Sequence, residues 1–247
     1  MSHSSVARAL IVALCAAACS AHAIAQPGAG HWKSISPQGG TVFSMAIHPR
    51  APQTVYAGLL NLGGVFKTVN GGANWFPAFS GLSGRNVNSL AIDATKLETV
   101  YAGTNRGIFK TTNGGASWSA SGGGLVGSPT FAVAIDPANP DTIYAGTDKG
   151  AFKSLDGAAT WSPAGTELGA LHVNALAIDP ASASTLYAGT QTAGVFKSTD
   201  GGASWTPASS GITPTLIHCL AIDPKSPSTV YAGTSAGLFK TTDGGAS

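Results

Sequence analysis

Charge is scarce in this chain. Of its 247 residues only 10% are Asp, Glu, Lys or Arg, and 13 basic against 11 acidic side chains leave a net charge of +2. A nucleic-acid partner needs a clear basic face, and so weak a balance argues against one. Cysteine is scarcer: three in all, of which Cys15 and Cys19 lie in the first 25 residues. The remaining Cys219 has no internal partner for a disulfide, so stability must come from packing. Its place in the apolar run Leu216–Ile222 reads as a buried structural thiol. Beyond residue 25 no stretch repeats apolar residues at the helical spacing near 3.6. No histidines show metal-ligand spacing, and neither a phosphate-binding loop nor a Gly-x-Ser-x-Gly turn occurs. No metal and no cofactor is expected.

The longest apolar run stands at the start. Arg8 precedes Ala9–Cys15, and small residues continue to Ala25. Residues 1–25 read as a secretory signal peptide, cut after Ala23-Ile24-Ala25 or, as a second option, after Ala21-His22-Ala23. The run is too short to span a bilayer. A lipid anchor at Cys19 is the alternative, although the usual large apolar residue three positions earlier is missing. The expected location is secreted or periplasmic, with one domain over residues 26–247.

What the chain has in abundance is glycine, 33 residues, and a repeat. The stretch Phe196–Trp205, FKSTDGGASW, recurs as FKTVNGGANW from Phe66, FKTTNGGASW from Phe109 and FKSLDGAATW from Phe152. A fifth copy, FKTTDGGAS from Phe239, runs to Ser247, one residue short of a tryptophan. The Asn or Asp of the motif falls at Asn70, Asn113, Asp156, Asp200 and Asp243, and the aromatic at Trp75, Trp118, Trp161 and Trp205. Self-similarity at about 43 residues marks a repeat architecture. Within the fourth unit, Val173–Asp179 alternates apolar with small or polar residues, Thr185–Thr190 is β-branched and aromatic, and Val195–Ser198 is a third strand. Trp205–Ala208 begins a fourth strand, whose Pro207 suits an edge. Four short antiparallel strands per repeat predict an all-β propeller with five blades visible.

Trp32 stands 43 residues before Trp75 and opens a segment like the fourth strands. The segment His31–Pro37 therefore reads as a closing strand that supplies the outer edge of the last unit. The alternative reading is a fragment of a larger propeller, cut inside its last motif.

The motif's chemistry is structural. Asp or Asn bonds backbone amides two residues on, the next glycine accepts positive φ, and the tryptophan folds back as an apolar plate. The pattern S/T-x-D-G-G-x-x-W resembles the BNR or Asp-box repeat of sialidase-type propellers. Its YAGT-x-x-G-x-F-K lead-in is most similar to photosystem II assembly-factor-like, xyloglucan-hydrolase-like and sortilin-type members. That resemblance covers residues 31–247 and implies a fold shared by enzymes, receptors and assembly factors.

In a meander blade, the first-to-second and third-to-fourth turns share one rim. A ligand is expected on the other rim, opposite the Asp boxes, where Arg85, Arg106 and Lys149 form a small basic crescent for a protein or carbohydrate partner. A sialidase-like site would need three convergent arginines and a tyrosine nucleophile. The arginines beyond the leader, Arg50, Arg85 and Arg106, all fall in the first two units, and the five repeat tyrosines sit mid-strand. A xyloglucan-hydrolase-like site would need two carboxylates across a groove. Asp148 and Glu167 are the candidates, Asp148 also being a natural turn residue. The favoured reading is a non-catalytic binding or assembly module; the alternative is a glycoside hydrolase.

Overall fold

The computed structural model describes residues 33–37, 40–61, 63–82, 84–213 and 215–246. The expected signal peptide, Cys19 and Trp32 lie outside the described residues. Blade 1 consists of β1 (Thr41–Ile47), β2 (Val55–Leu60), β3 (Val65–Thr68) and β4 (Phe76–Pro77). Blade 2 is β5 (Val87–Ile92), β6 (Val100–Thr104), β7 (Gly107–Thr111) and β8 (Ser119–Ala120). Blade 3 is β9 (Thr130–Ile135), β10 (Ile143–Thr147), β11 (Gly150–Ser154) and β12 (Ser162–Pro163). Blade 4 is β13 (Val173–Asp179), β14 (Ser182–Thr190), β15 (Val195–Ser198) and β16 (Thr206–Pro207). Blade 5 has three described strands, β17 (Ile217–Ile222), β18 (Val230–Thr234) and β19 (Gly237–Thr241). Strands neighbour one another in chain order, so each blade is an antiparallel meander. The chain is an all-β propeller.

The outer strands are two residues long and exposed, because each meets only one neighbour. Pro77, Pro163 and Pro207 lie opposite Phe66, Phe152 and Phe196, where a missing N–H costs nothing. In blade 4 the second strand starts at Ser182, earlier than the Thr185 expected from composition. Asp179 pairs with Ser182 across Pro180 and Ala181, which extends the hairpin into a tight turn. Cys219 is half-buried rather than buried; β17 directs its Sγ toward Gly233, the small residue opposite.

The core is assembled junction by junction. Consecutive inner strands pack together, β1 on β5, β5 on β9, β9 on β13 and β13 on β17. Between blades 1 and 2, Tyr56, Val65 and Leu82 meet Val87, Phe109 and Trp118. The tryptophan is covered, Trp118 being 6% and Trp205 3% exposed. Its indole N–H donates back to the preceding blade, Trp118 to the Ala78 carbonyl and Trp205 to the Ala164 carbonyl, each at 2.8 Å. Burying such a side chain contributes up to about 3 kcal/mol.

A second contact ties the blades together. Tyr144 Oη and Lys153 Nζ of blade 3 both donate to the Gly201 carbonyl of blade 4, each at 2.9 Å. The same two donors recur from Tyr56 and Lys67 to Gly114, from Tyr101 and Lys110 to Gly157, and from Tyr187 and Lys197 to Gly244. The mid-strand tyrosines are therefore structural. Burial pushes the Tyr101 phenol up to about 12, with Asp93 and Asp141 adding to the rise.

Candidate functional site

Hydrogen bonds define the two rims. The Asp-box turn of each blade bonds to the turn between that blade's first two strands: Gly71 N–H to the Gln53 carbonyl, Gly114 to Glu98, Gly157 to Asp141, Gly201 to Ser184 and Gly244 to Ser228. Turns between second and third strands bond instead to the links that join blades. Gly64 N–H reaches the Arg85 carbonyl, Asn105 N–H the Asn86 carbonyl, and Gly194 N–H the Thr215 carbonyl.

On the Asp-box rim the carboxylates are occupied by their own turns. Asp156 Oδ1 accepts from Ser154 Oγ at 2.8 Å and from the Thr160 amide at 2.9 Å, while Oδ2 accepts the Thr160 hydroxyl at 2.6 Å. The Thr160 hydroxyl and amide hold the Asp156 carboxyl down at about 2. Ser204 does the same for Asp200, lowering it further. Asn70 and Asn113 replace the charge with an amide, whose oxygen accepts from Asn74 and Ser117 N–H at 2.9 Å. In the fifth copy, Asp243 Oδ1 accepts from Thr241 Oγ1. Because Asn serves as well as Asp, what the turn requires is an oxygen acceptor, whatever its charge. Gly201 and Gly202 take φ of 70° and 83° here, the left-handed region that favours glycine.

The strand-end acids are likewise committed to backbone. Asp93 Oδ1 caps the Thr95 and Lys96 amides at 2.7 and 2.9 Å, and Asp136 and Asp179 accept from Ala138 and Ala181 at 2.8 Å.

The opposite rim carries the candidate binding residues. Arg106 and Lys149 occupy equivalent turn positions in blades 2 and 3, and both are exposed. Each backbone N–H is fixed by the preceding threonine hydroxyl, Arg106 on Thr104 at 3.1 Å and Lys149 on Thr147 at 3.0 Å. Arg85 is half-buried and differently employed. Its guanidinium lies 4.6 Å from the Phe109 ring centroid and donates to the Gly81 carbonyl at 3.2 Å. Arg85 and Arg106 together border an open depression of about 540 Å³ with Asn105, Ile108 and Val126. Lys149 stands outside that lining.

One contributor escaped the sequence reading. Asn86 joins adjacent turns through Oδ1, which accepts the Asn61 N–H at 3.0 Å, and its own N–H donates to Asn105 Oδ1 at 3.2 Å. The equivalent positions in later blades hold Pro129, His172 and Leu216, so no repeat marks it.

The two candidate acids are both exposed. Asp148 sits at the tip of the β10–β11 turn. Glu167 folds onto its own backbone, Oε2 accepting the Thr166 N–H at 3.1 Å, and lies with the Trp205 ring around Gly165. Neither lines the depression beside Arg85 and Arg106. Among the described residues no group of three or more His, Cys, Asp or Glu is placed to hold a metal ion, and no helix is long and apolar enough to cross a membrane.

No protein-family model matches the chain, and no curated protein matches it. Solved structures do. The GH74 xyloglucanase from Xanthomonas campestris is similar with a TM-score of 0.66 and 18% identity, over 81% of this chain and 36% of that one. YCF48 from Cyanidioschyzon merolae gives 0.66 and 14%, over 87% and 71%. YCF48 bound to a D1 peptide gives 0.57 and 15%, over 83% and 67%. The chain spans 23% to 36% of the length of the GH74 enzymes it matches. The fold is thus common to enzymes and to a peptide-bound propeller.

Proposed function

Taking the chain as a propeller of the BNR type, we propose that it is a secreted or periplasmic binding module without catalytic activity. Its ligand is an acidic protein segment or glycan that meets the rim opposite the Asp boxes. The observation that carries this reading is the paired exposure of Arg106 and Lys149 at matching turns of neighbouring blades, with Arg85 beside Arg106 around the open depression. Cations so placed raise the local concentration of an acidic ligand and speed its capture. The peptide-bound YCF48 structure supports the reading, since a propeller of this fold there holds a peptide.

The test is binding of a glutamate-rich peptide and of a sulfated oligosaccharide at low salt. Arg106→Ala with Lys149→Ala should weaken at least one of them roughly tenfold, about 1.4 kcal/mol. Arg85 is left in place because it also packs on Phe109. Unchanged affinities in the double variant would refute the crescent.

A second reading, a glycoside hydrolase using Asp148 and Glu167, draws on the GH74 similarity. It requires turnover of xyloglucan that is lost in Asp148→Asn. A chain with no turnover on that polymer retires it.

A further inference from the structure

Blade 2 builds its Asp-box turn on Asn113-Gly114. Glycine has no Cβ, so nothing on Gly114 hinders attack of its backbone nitrogen on the asparagine side chain. That reaction, which ends in loss of the amide, has two needs. The Gly114 nitrogen must swing onto the Asn113 Cγ, and the carboxamide must turn to receive it. The folded turn denies both. Gly114 N–H donates to the Glu98 carbonyl at 2.9 Å. The carboxamide is held at both ends, Oδ1 accepting from Thr111 Oγ1 at 2.8 Å and from the Ser117 amide at 2.9 Å, while Nδ2 donates to Ser117 Oγ at 2.9 Å. Asn113 itself is exposed, so water reaches it.

Part of what fixes Gly114 belongs to another blade. Its carbonyl accepts Tyr56 Oη and Lys67 Nζ of blade 1, each at 3.1 Å. Gly114 is buried at a φ of 64°, and a methyl group on its Cα would collide with the Glu98 carboxylate and come within 3.0 Å of Lys67 Nζ. The nitrogen cannot reach Cγ without carrying its own Cα and carbonyl along, which strips both blade 1 donors and opens the seam. Blade 4 shows that an acid fits the same turn. Phe196–Trp205 differs from Phe109–Trp118 only in Ser198 for Thr111 and Asp200 for Asn113. There Asp200 accepts the Ser204 amide on Oδ1 and the Ser204 hydroxyl on Oδ2. An aspartate at 113 needs only that the Ser117 hydroxyl turn from acceptor to donor, and charge strengthens that bond.

We propose that Asn113 is a modification site gated by the seam between blades 1 and 2: it loses its amide when that seam opens, and the aspartate formed rebuilds a turn of the blade 4 kind. In the first step the Gly114 nitrogen bonds to Cγ and gives its proton to solvent. The Cγ–Nδ2 bond breaks, and Nδ2 takes a proton from water and leaves as ammonia. Water then opens the cyclic imide at one of its two carbonyl carbons. Addition at Cγ gives aspartate. Addition at the backbone carbon gives isoaspartate, whose main chain is one carbon longer and carries Gly114 away from its donors.

The experiment is site-resolved mass spectrometry of the full chain, kept folded at mildly alkaline pH, with a peptide of residues 109–118 as the unfolded reference. Asn113 should convert at least about a hundredfold more slowly in the chain than in the peptide, because only the open fraction reacts. Tyr56→Phe removes one seam donor and should speed Asn113 about fivefold, while the second such pair, Asn70-Gly71 of blade 1, keeps its rate. Tyr56→Phe with Lys67→Met should speed it further; if that double variant does not fold, the single variant carries the test. Asn113→Asp should melt within about 4 °C of the unaltered chain. Conversion as fast in the chain as in the peptide overturns the proposal. So does a rate indifferent to Tyr56, an equal acceleration at Asn70, or a fall beyond about 4 °C in Asn113→Asp.

Discussion

Replacing Tyr144 by Phe removes one donor from the Gly201 carbonyl and keeps the ring. The second donor, Lys153 Nζ, is 2.9 Å from the same oxygen and 5.3 Å from the Tyr144 ring centroid, so one acceptor serves two blade-3 groups. A neutral hydrogen bond contributes about 0.5–1.5 kcal/mol net and one from a charged group about 1.5–3 kcal/mol. Tyr144→Phe should therefore cost about 1 kcal/mol and Lys153→Met about 2 kcal/mol. Each single variant leaves the carbonyl paired. The double variant strips both donors from an oxygen at a packed seam, adding an unsatisfied acceptor at about 1–3 kcal/mol. The double variant should exceed the sum of the singles by about 1 kcal/mol, a coupling that a double-mutant cycle resolves. The assay is urea unfolding of the four proteins, compared by midpoint at unchanged slope. Additivity within about 0.3 kcal/mol would refute the shared-acceptor reasoning, and so would a silent Tyr144→Phe.

Two further predictions concern the repeat motif. Asp156 is held at about 2 in the folded chain against an ordinary 3.8, so its stabilising contribution is complete above pH 3.8 and is lost as pH falls toward 2. Acid titration of unfolding should show that limb in the unaltered chain and a shallower one in Asp156→Asn; identical acid limbs would count against the Thr160 contacts. Trp205→Ala empties a socket and should cost about 3–5 kcal/mol, visible as a fall in melting temperature of roughly 6–20 °C. A fall below about 3 °C would mean that the indole is not a principal packing element.

The strands were legible because a two-residue alternation and a 43-residue period both survive in a linear reading. Val173–Asp179 and Val195–Ser198 match the structure to the residue. The Asp box was legible as a turn because its donors and acceptors lie within four residues of one another. What crosses a seam was not. The acceptor of Tyr144 lies 57 residues away, and no local pattern pairs a tyrosine with a glycine carbonyl. Arg85 read as a free surface cation, yet its partner ring, Phe109, is brought beside it only when blade 2 folds against the link. Glu167, read from the sequence as a candidate catalytic carboxylate in a link between blades, similarly turns back to the Thr166 amide near Trp205.

The uniform seam has an effect on what each end of a blade is free to become. Every junction asks for the same tyrosine, lysine and glycine carbonyl, so a change in any one unit is checked against its neighbour's geometry. The turns on the far rim are less uniform: Asn105, Asp148, Gln191 and Ser235 stand at one position in four units, all polar but with only Asp148 charged. Duplicating or deleting a whole unit leaves each seam chemically intact, so no single residue specifies how many units a ring contains. Copy number and far-rim identity are the two variables open to such a chain, and the second can be rewritten one turn at a time.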